Sequence, residues 1–194
     1  MTHGDTRSQE AEAPLRALLA RAAALGSGRA APVHLWDPAD CGTIPMRIAA
    51  DGVWHYHGSP IRRDRMVRLF ASILRREPDG RFVLVTPVEK MTISVDDAPF
   101  QAIEMAREGD AAMPVLVFST SMGDVVRAGP DHPLRFRIDA TGGFVPYVNV
   151  RGGLEARLTR SLALDLAACI ETVGGRDGVR SGGAFFAIPE TAED

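Results

Sequence analysis

Lysine is all but missing from this chain. Of its 22 basic residues, Lys90 is the single lysine and the rest are arginine. Alanine is abundant alongside, and a genome rich in GC codons explains both. Under such a bias, a retained lysine marks a place where a compact ammonium suits and a planar guanidinium does not. Cysteine is scarce as well. Cys41 and Cys169 stand outside any CxxC or CxxH spacing, so the chain is no disulfide scaffold and has no cysteine-based zinc motif. Neither sign of charge dominates: 22 basic against 25 acidic residues leave a net charge of -3. That excludes a global basic field for nucleic acid. Long apolar runs are lacking too. Leu15–Leu25 is interrupted by Arg16 and Arg21 and is too short to span a bilayer. The polar stretch Met1–Glu10 leads into no signal-peptide core. A cytoplasmic protein with reduced thiols is expected. Catalytic signatures are also wanting. There is no GxSxG elbow, no GxxxxGK[ST] loop and no GxGxxG fingerprint, which argues for a binding or signalling module before an enzyme.

What is present is an ordinary globular composition, 45% apolar and 24% charged. A chain of 194 residues buries roughly 70% of its unfolded surface and needs no staple to fold. Residues 1–13 are expected to be disordered. Pro14–Leu25 predicts a short helix stopped by Gly26 and Gly28. Met46–Ala49 and Val53–His57 flank Asp51-Gly52, a strong hairpin signal. Asp64–Arg76 carries a helical stripe of Met66, Val67, Phe70, Ile73 and Leu74. Short strands are predicted at Phe82–Thr86, Met91–Val95, Phe100–Arg107, Val115–Ser119 and Asp124–Arg127. A second hairpin joins Leu134–Ile138 to Pro146–Val150. Leu154, Leu158, Leu162, Leu166 and Ile170, spaced by four, predict a long helix over Gly153–Thr172. Strands Val179–Ser181 and Ala184–Ile188 close the chain.

The order of these elements recurs. Hairpin, helix, Asp-Gly turn, strand and Pro87 are followed by hairpin, helix, Asp-Gly turn, strand and Pro189, with Arg47-Ile48 answered by Arg137-Ile138 ninety residues on. That separation suits one duplication rather than a solenoid. The expected fold is α+β, built of duplicated small α/β units with mostly antiparallel sheet. The expected division is a tail and short helix over 1–33, a first unit over 34–90, a larger β-rich unit over 91–189, and a tail over 190–194.

A set of short segments carries a resemblance. Trp36, Met46-Arg47-Ile48-Ala49, Asp51-Gly52-Val53-Trp54, Gly58-Ser59-Pro60-Ile61, Val67-Arg68-Leu69-Phe70, Thr86-Pro87-Val88-Glu89-Lys90, Asp97-Ala98-Pro99-Phe100, His132-Pro133-Leu134, Pro146-Tyr147-Val148, Gly153-Leu154-Glu155 and Ser181-Gly182-Gly183 run in the order typical of one group. Over about residues 34–189 the chain resembles the proteobacterial domain of unknown function family 1285. It departs at Gly152, where the family often has an acidic residue, and in a longer N-terminal helix. The resemblance implies a duplicated core and a C-terminal half loosely like pleckstrin-homology folds. It also implies a role in signalling and a nucleotide-like ligand at the interface between the two halves. No activity comes with it.

Several residues are candidates for such a ligand, each with a plainer alternative. Thr86, Glu89 and Lys90 offer a hydroxyl, an acceptor and a point charge for phosphate; a cross-strand or surface ion pair is the plainer explanation. Arg151 precedes two glycines that admit close backbone approach; a turn with positive φ explains those glycines. Ser181-Gly182-Gly183 is either a ligand contact or a hairpin turn. Arg47 needs an anion if it faces inward and nothing if it faces outward. Trp54 or Tyr56 would stack on a base. His55 and His57 share a strand face, but no third metal ligand is evident. Asp165, half-way along the expected long helix, is either half buried or solvated. The leading expectation is an uncharacterised ligand-binding or signalling protein with Arg47, Trp54, Tyr56, Thr86, Glu89, Lys90, Arg151 and Ser181 at its site. The alternative is a protein–protein interaction module without a small ligand. The sequence points to no cofactor, metal, nucleic acid or membrane span, and each reading is compatible with a homodimer.

Overall fold

A computed structural model describes residues 20–24, 30–110 and 112–190. The protein is α+β and mostly β. Its chain divides into two compact units. The first takes the described residues up to Ala49 together with Val53–Asp96, and the second takes Ala50–Gly52 with the described residues from Asp97 onward. The expected disorder of residues 1–13 lies outside the described residues. Of the expected N-terminal helix, residues 20–24 are helical.

In the first unit a short 3-10 turn, Val33–Leu35, leads into β1 (Asp40–Ile48), β2 (Trp54–Tyr56) and β3 (Ser59–Pro60). Helix α1 (Asp64–Ser72), β4 (Leu74–Arg76), β5 (Phe82–Val85) and β6 (Lys90–Val95) follow. The six strands form one sheet in the order β3-β2-β1-β6-β5-β4. Only the central pair β1–β6 is parallel. Met46 and Ile48 alternate inward along β1, and Trp54 stacks on Phe70 with ring centroids 6.1 Å apart. Burying side chains of this size stabilises the unit by about 1.5–3 kcal/mol each.

Helix α1 is shorter than expected. Its apolar stripe continues into Ile73 and Leu74, both buried, but Leu74 pairs with Leu84 across β4 and β5. The pattern predicted the inward face correctly and the element wrongly. The first unit also ends later than expected. Strand β6 pairs with β1 and β5, so the boundary falls at Asp96/Asp97 and not after Lys90.

The second unit opens with β7 (Phe100–Glu108), β8 (Val115–Thr120), β9 (Val125–Arg127), β10 (Leu134–Ile138), β11 (Phe144–Arg151) and β12 (Leu154–Leu158). Their order is β10-β11-β12-β7-β8-β9, with β12–β7 the parallel pair. Counted from its own first strand, this sheet repeats the 3-2-1-6-5-4 order of the first. The duplication therefore equates β1–β6 with β7–β12. It does not equate the two hairpins and two helices read from the sequence: Arg47 lies on a first strand and Arg137 on a fourth. Helix α1 joins the third and fourth strands of its copy, and residues 128–133 make that connection without a helix in the other.

The expected long helix over Gly153–Thr172 is three elements: β12, helix α2 (Arg160–Ala167) and β13 (Ile170–Val173). Residues four apart share a face in a strand and nearly so in a helix, so the leucine spacing could not tell them apart. The alternation within β12, with Leu154, Ala156 and Leu158 buried around Glu155 and Arg157, is a strand signal. Thr159 caps α2 by accepting the Leu162 N–H. Strand β13 forms a small antiparallel sheet with β14 (Arg176–Ser181) and β15 (Ala184–Ala187).

Candidate functional site

The eight residues picked from the sequence divide between the units, six in the first and two in the second. Thr86, Glu89 and Lys90 come together, because Thr86–Glu89 is the turn between β5 and β6. The Thr86 amide and hydroxyl both donate to the Glu89 carbonyl, at 2.9 and 3.3 Å. Thr86 is fully buried, and Glu89 pairs with Arg21. Lys90 Nζ lies 3.5 Å from Glu77, whose carboxylate also takes the Arg75 Nε proton at 2.6 Å. Arg75 in turn holds the carbonyls of Val33 and Trp36. A lone ammonium among these groups closes a polar network under the 3-10 turn.

Arg47 faces outward from β1 and grips Asp96 through two nitrogens, Nε donating at 2.8 Å. Tyr56 is half-buried, edge-on to the His57 ring at 4.5 Å. Trp54 is corrected from a base-stacking surface to a core residue: it is 1% exposed and its face is taken by Phe70. Arg151 pairs with Asp124 and lies over the Phe100 ring at 4.9 Å. Ser181 is corrected from a ligand contact to a structural pin. Its fully buried hydroxyl accepts the Leu116 N–H and donates to the Ala128 carbonyl, both at 2.8 Å, fastening the small sheet to the large one. Next to it, a Cβ on Gly182 would stand 2.6 Å from that carbonyl, at a φ of +59°. Among the described residues no three His, Cys, Asp or Glu side chains form a metal-binding group.

A cleft of about 770 Å³ lies elsewhere, within the second unit, and none of the eight lines it. One wall is the turn between β10 and β11. There the Asp139 carboxylate accepts the amides of Thr141 and Gly143 and the Thr141 hydroxyl, at 2.7–2.9 Å. The Thr141 hydroxyl and these amides hold the Asp139 carboxyl below the usual range. The end of β12 and helix α2 also line the cleft, with Arg157, Arg160 and Leu164. Gln101 and Asp51 line it too, the Gln101 amide donating to the Ala50 carbonyl at 3.1 Å.

Arg157 is tethered to Asp97. Its Nη1 donates to Asp97 at 2.9 Å, and the other Asp97 oxygen accepts the Tyr147 hydroxyl at 2.8 Å. Burial, then the bond to Asp97, pushes the Tyr147 phenol up to about 12. Arg135 covers the Tyr147 ring at 4.1 Å while binding Glu155 through two nitrogens. Arg137 approaches Asp97 only to 3.9 Å, and its buried Nε has no hydrogen-bond partner among the described residues. Arg160, the first residue of α2, is exposed and has no carboxylate partner among the described residues. The cleft thus presents one tethered and one free guanidinium, the Gln101 amide and the Phe144 ring, with the Thr141 and Thr159 hydroxyls already engaged by Asp139 and the Leu162 amide. Sequence reading missed it because Arg157 was placed on a helix. The Glu155-Ala156-Arg157 alternation was the available signal.

Residues 31–98 match the domain of unknown function DUF1285, N-terminal domain, and residues 99–188 match the protein of unknown function DUF1285, C-terminal domain. These matches meet two residues from the boundary between the compact units. The chain is similar to a DUF1285 family protein from Silicibacter pomeroyi DSS-3, at 51% identity and a TM-score of 0.82, over 88% of this chain and 93% of that one. It is also similar to a DUF1285 family protein from Shewanella baltica OS155, at 27% identity and a TM-score of 0.51, over 64% of this chain and 91% of that one. No curated protein matches the chain.

Proposed function

The chain belongs to the DUF1285 family, and on that premise we propose that it binds a small anionic ligand of nucleotide-like size in the cleft of its second unit. The observation that carries this reading is Arg157, fixed by Asp97 and Tyr147 at the wall of the cleft beside the unpaired Arg160. A guanidinium held in place before binding loses little entropy on contact, which favours affinity. Arg160 would meet phosphate or carboxylate oxygens with its planar fork. Phe144, which stacks on Phe136 with centroids 5.4 Å apart, would extend that stack to a ring of the ligand. The volume lies within the range of about 300–1,000 Å³ usual for ligand sites. In signalling, occupancy would act by favouring one arrangement of the protein over another.

A thermal-stability screen against nucleotides, cyclic nucleotides and phosphorylated metabolites tests the reading. A ligand at 100 times its Kd adds about 2.7 kcal/mol. Arg160→Ala should abolish that shift while leaving the unliganded Tm in place. No shift with any member of the panel defeats the proposal. A second reading, a protein-interaction module, is favoured by β13. All four of its residues are exposed at the edge of the small sheet, where a partner strand would pair.

A further inference from the structure

Several described arginines of the first unit are paired with carboxylates. Arg47 holds Asp96, Arg75 holds Glu77, and Arg81 holds Asp79 and Asp40. The stretch that enters helix α1 differs. Arg62, Arg63, Arg65 and Arg68 are all exposed, and none has a carboxylate partner among the described residues. Asp64 is the one acid between them. Arg65 and Arg68 are three apart on α1 and so are neighbours on its surface. The side of the helix away from them buries Phe70. Four exposed guanidiniums are therefore concentrated in one short segment.

Stability of the helix does not explain them. Arg63 sits at the N-cap and makes no side-chain cap bond there, where Ser, Thr, Asp or Asn would. Cations at the positive end of a helix are unfavourable. The sequence keeps four of them in seven residues at a cost to the fold.

We propose that Arg62, Arg63, Arg65 and Arg68 form a docking surface for an acidic segment of a protein partner. Guanidinium forks match carboxylates in pairs, and exposed ones can do so. A short acidic segment meets only the local field, because charges beyond about 8 Å are screened. A membrane or a nucleic acid presents a long anionic surface to a chain whose net charge is -3. Nor does α1 offer what those surfaces require. It has no exposed large apolar side chain to insert in lipid and no exposed aromatic to stack on bases.

The test is fluorescence anisotropy with a labelled oligoglutamate peptide and the full chain. The peptide should bind, and binding should weaken as salt is raised. The double variant Arg65→Glu/Arg68→Glu should weaken it by about tenfold or more, with the Tm unchanged or raised, since acids suit that end of the helix. Arg62→Glu/Arg63→Glu, which lies outside the helix, should do the same. Arg65→Lys/Arg68→Lys should keep most of the binding. Failure of the natural chain to bind the peptide overturns the proposal, and so does equal binding by the charge-reversed variants. Tighter binding to phosphatidylserine vesicles or to single-stranded RNA, lost in the same variants, would also overturn it by assigning the surface to that class.

Discussion

Tyr147 joins a core position to a cleft. Its ring is fully buried beneath Arg135, and its hydroxyl fixes the carboxylate that fixes Arg157. The phenol stands at about 12 in the folded protein, against about 10 in an unfolded chain. Between these values the unfolded chain releases its proton while the folded one keeps it, so this group takes stability away as pH rises through that window. Tyr147→Phe should flatten this part of the alkaline slope. It should also cost about 1–2 kcal/mol near neutrality, because Asp97 loses a donor. Urea denaturation across pH 8 to about 12 measures both. A slope identical in the variant would show that Tyr147 is not its source. At this scale the sequence was least legible. Thr86, Lys90 and Ser181 have the chemistry of ligand contacts, but main-chain groups and Glu77 occupy them. Only the three-dimensional neighbourhood distinguishes a structural hydroxyl from a binding one.

Elements read by alternation and by turn residues were placed well. The hairpins about Asp51-Gly52 and Thr141-Gly142-Gly143 stand where predicted, with Ile48 opposite Trp54 and Ile138 opposite Phe144. Both principal helices were drawn too long, for one physical reason. Each helical stripe adjoins, without a glycine or proline between, a strand that buries apolar residues in the same spacing, β4 after α1 and β12 before α2. Thr159 was the missed boundary. It is a capping residue followed by the Arg160–Ala167 helix, and its side chain takes the Leu162 amide. Thr159→Ala should lower stability by about 1 kcal/mol, read as a fall in denaturation midpoint at an unchanged m-value. Thr159→Ser should restore most of it. If alanine is neutral, the cap contributes nothing and the start of α2 is held by packing alone.

At the scale of the whole molecule, two sheets of one topology each place their parallel pair at the centre, β1–β6 and β7–β12. Hydrogen exchange should show its slowest amides in those four strands, and its fastest in β3, β9 and β13 at the sheet edges. Protection centred on an edge strand would contradict this architecture. The duplication was legible as a recurrence of pattern, but its register was not. Six strands compared with six give the match, whereas letters favoured two hairpins that share a turn chemistry and not a position.

Because strands one and six of each sheet run side by side in the same direction, a chain that starts at the bottom of this motif finishes at the top. In the first copy, Val95 ends beside Ile48 and the Asp96 amide donates to the Ile48 carbonyl. The exit is thus a full strand length from the point of arrival, and a successor can be appended without the thread doubling back over the sheet. A motif of this kind lends itself to concatenation, and four residues, Asp96-Asp97-Ala98-Pro99, suffice here as the splice.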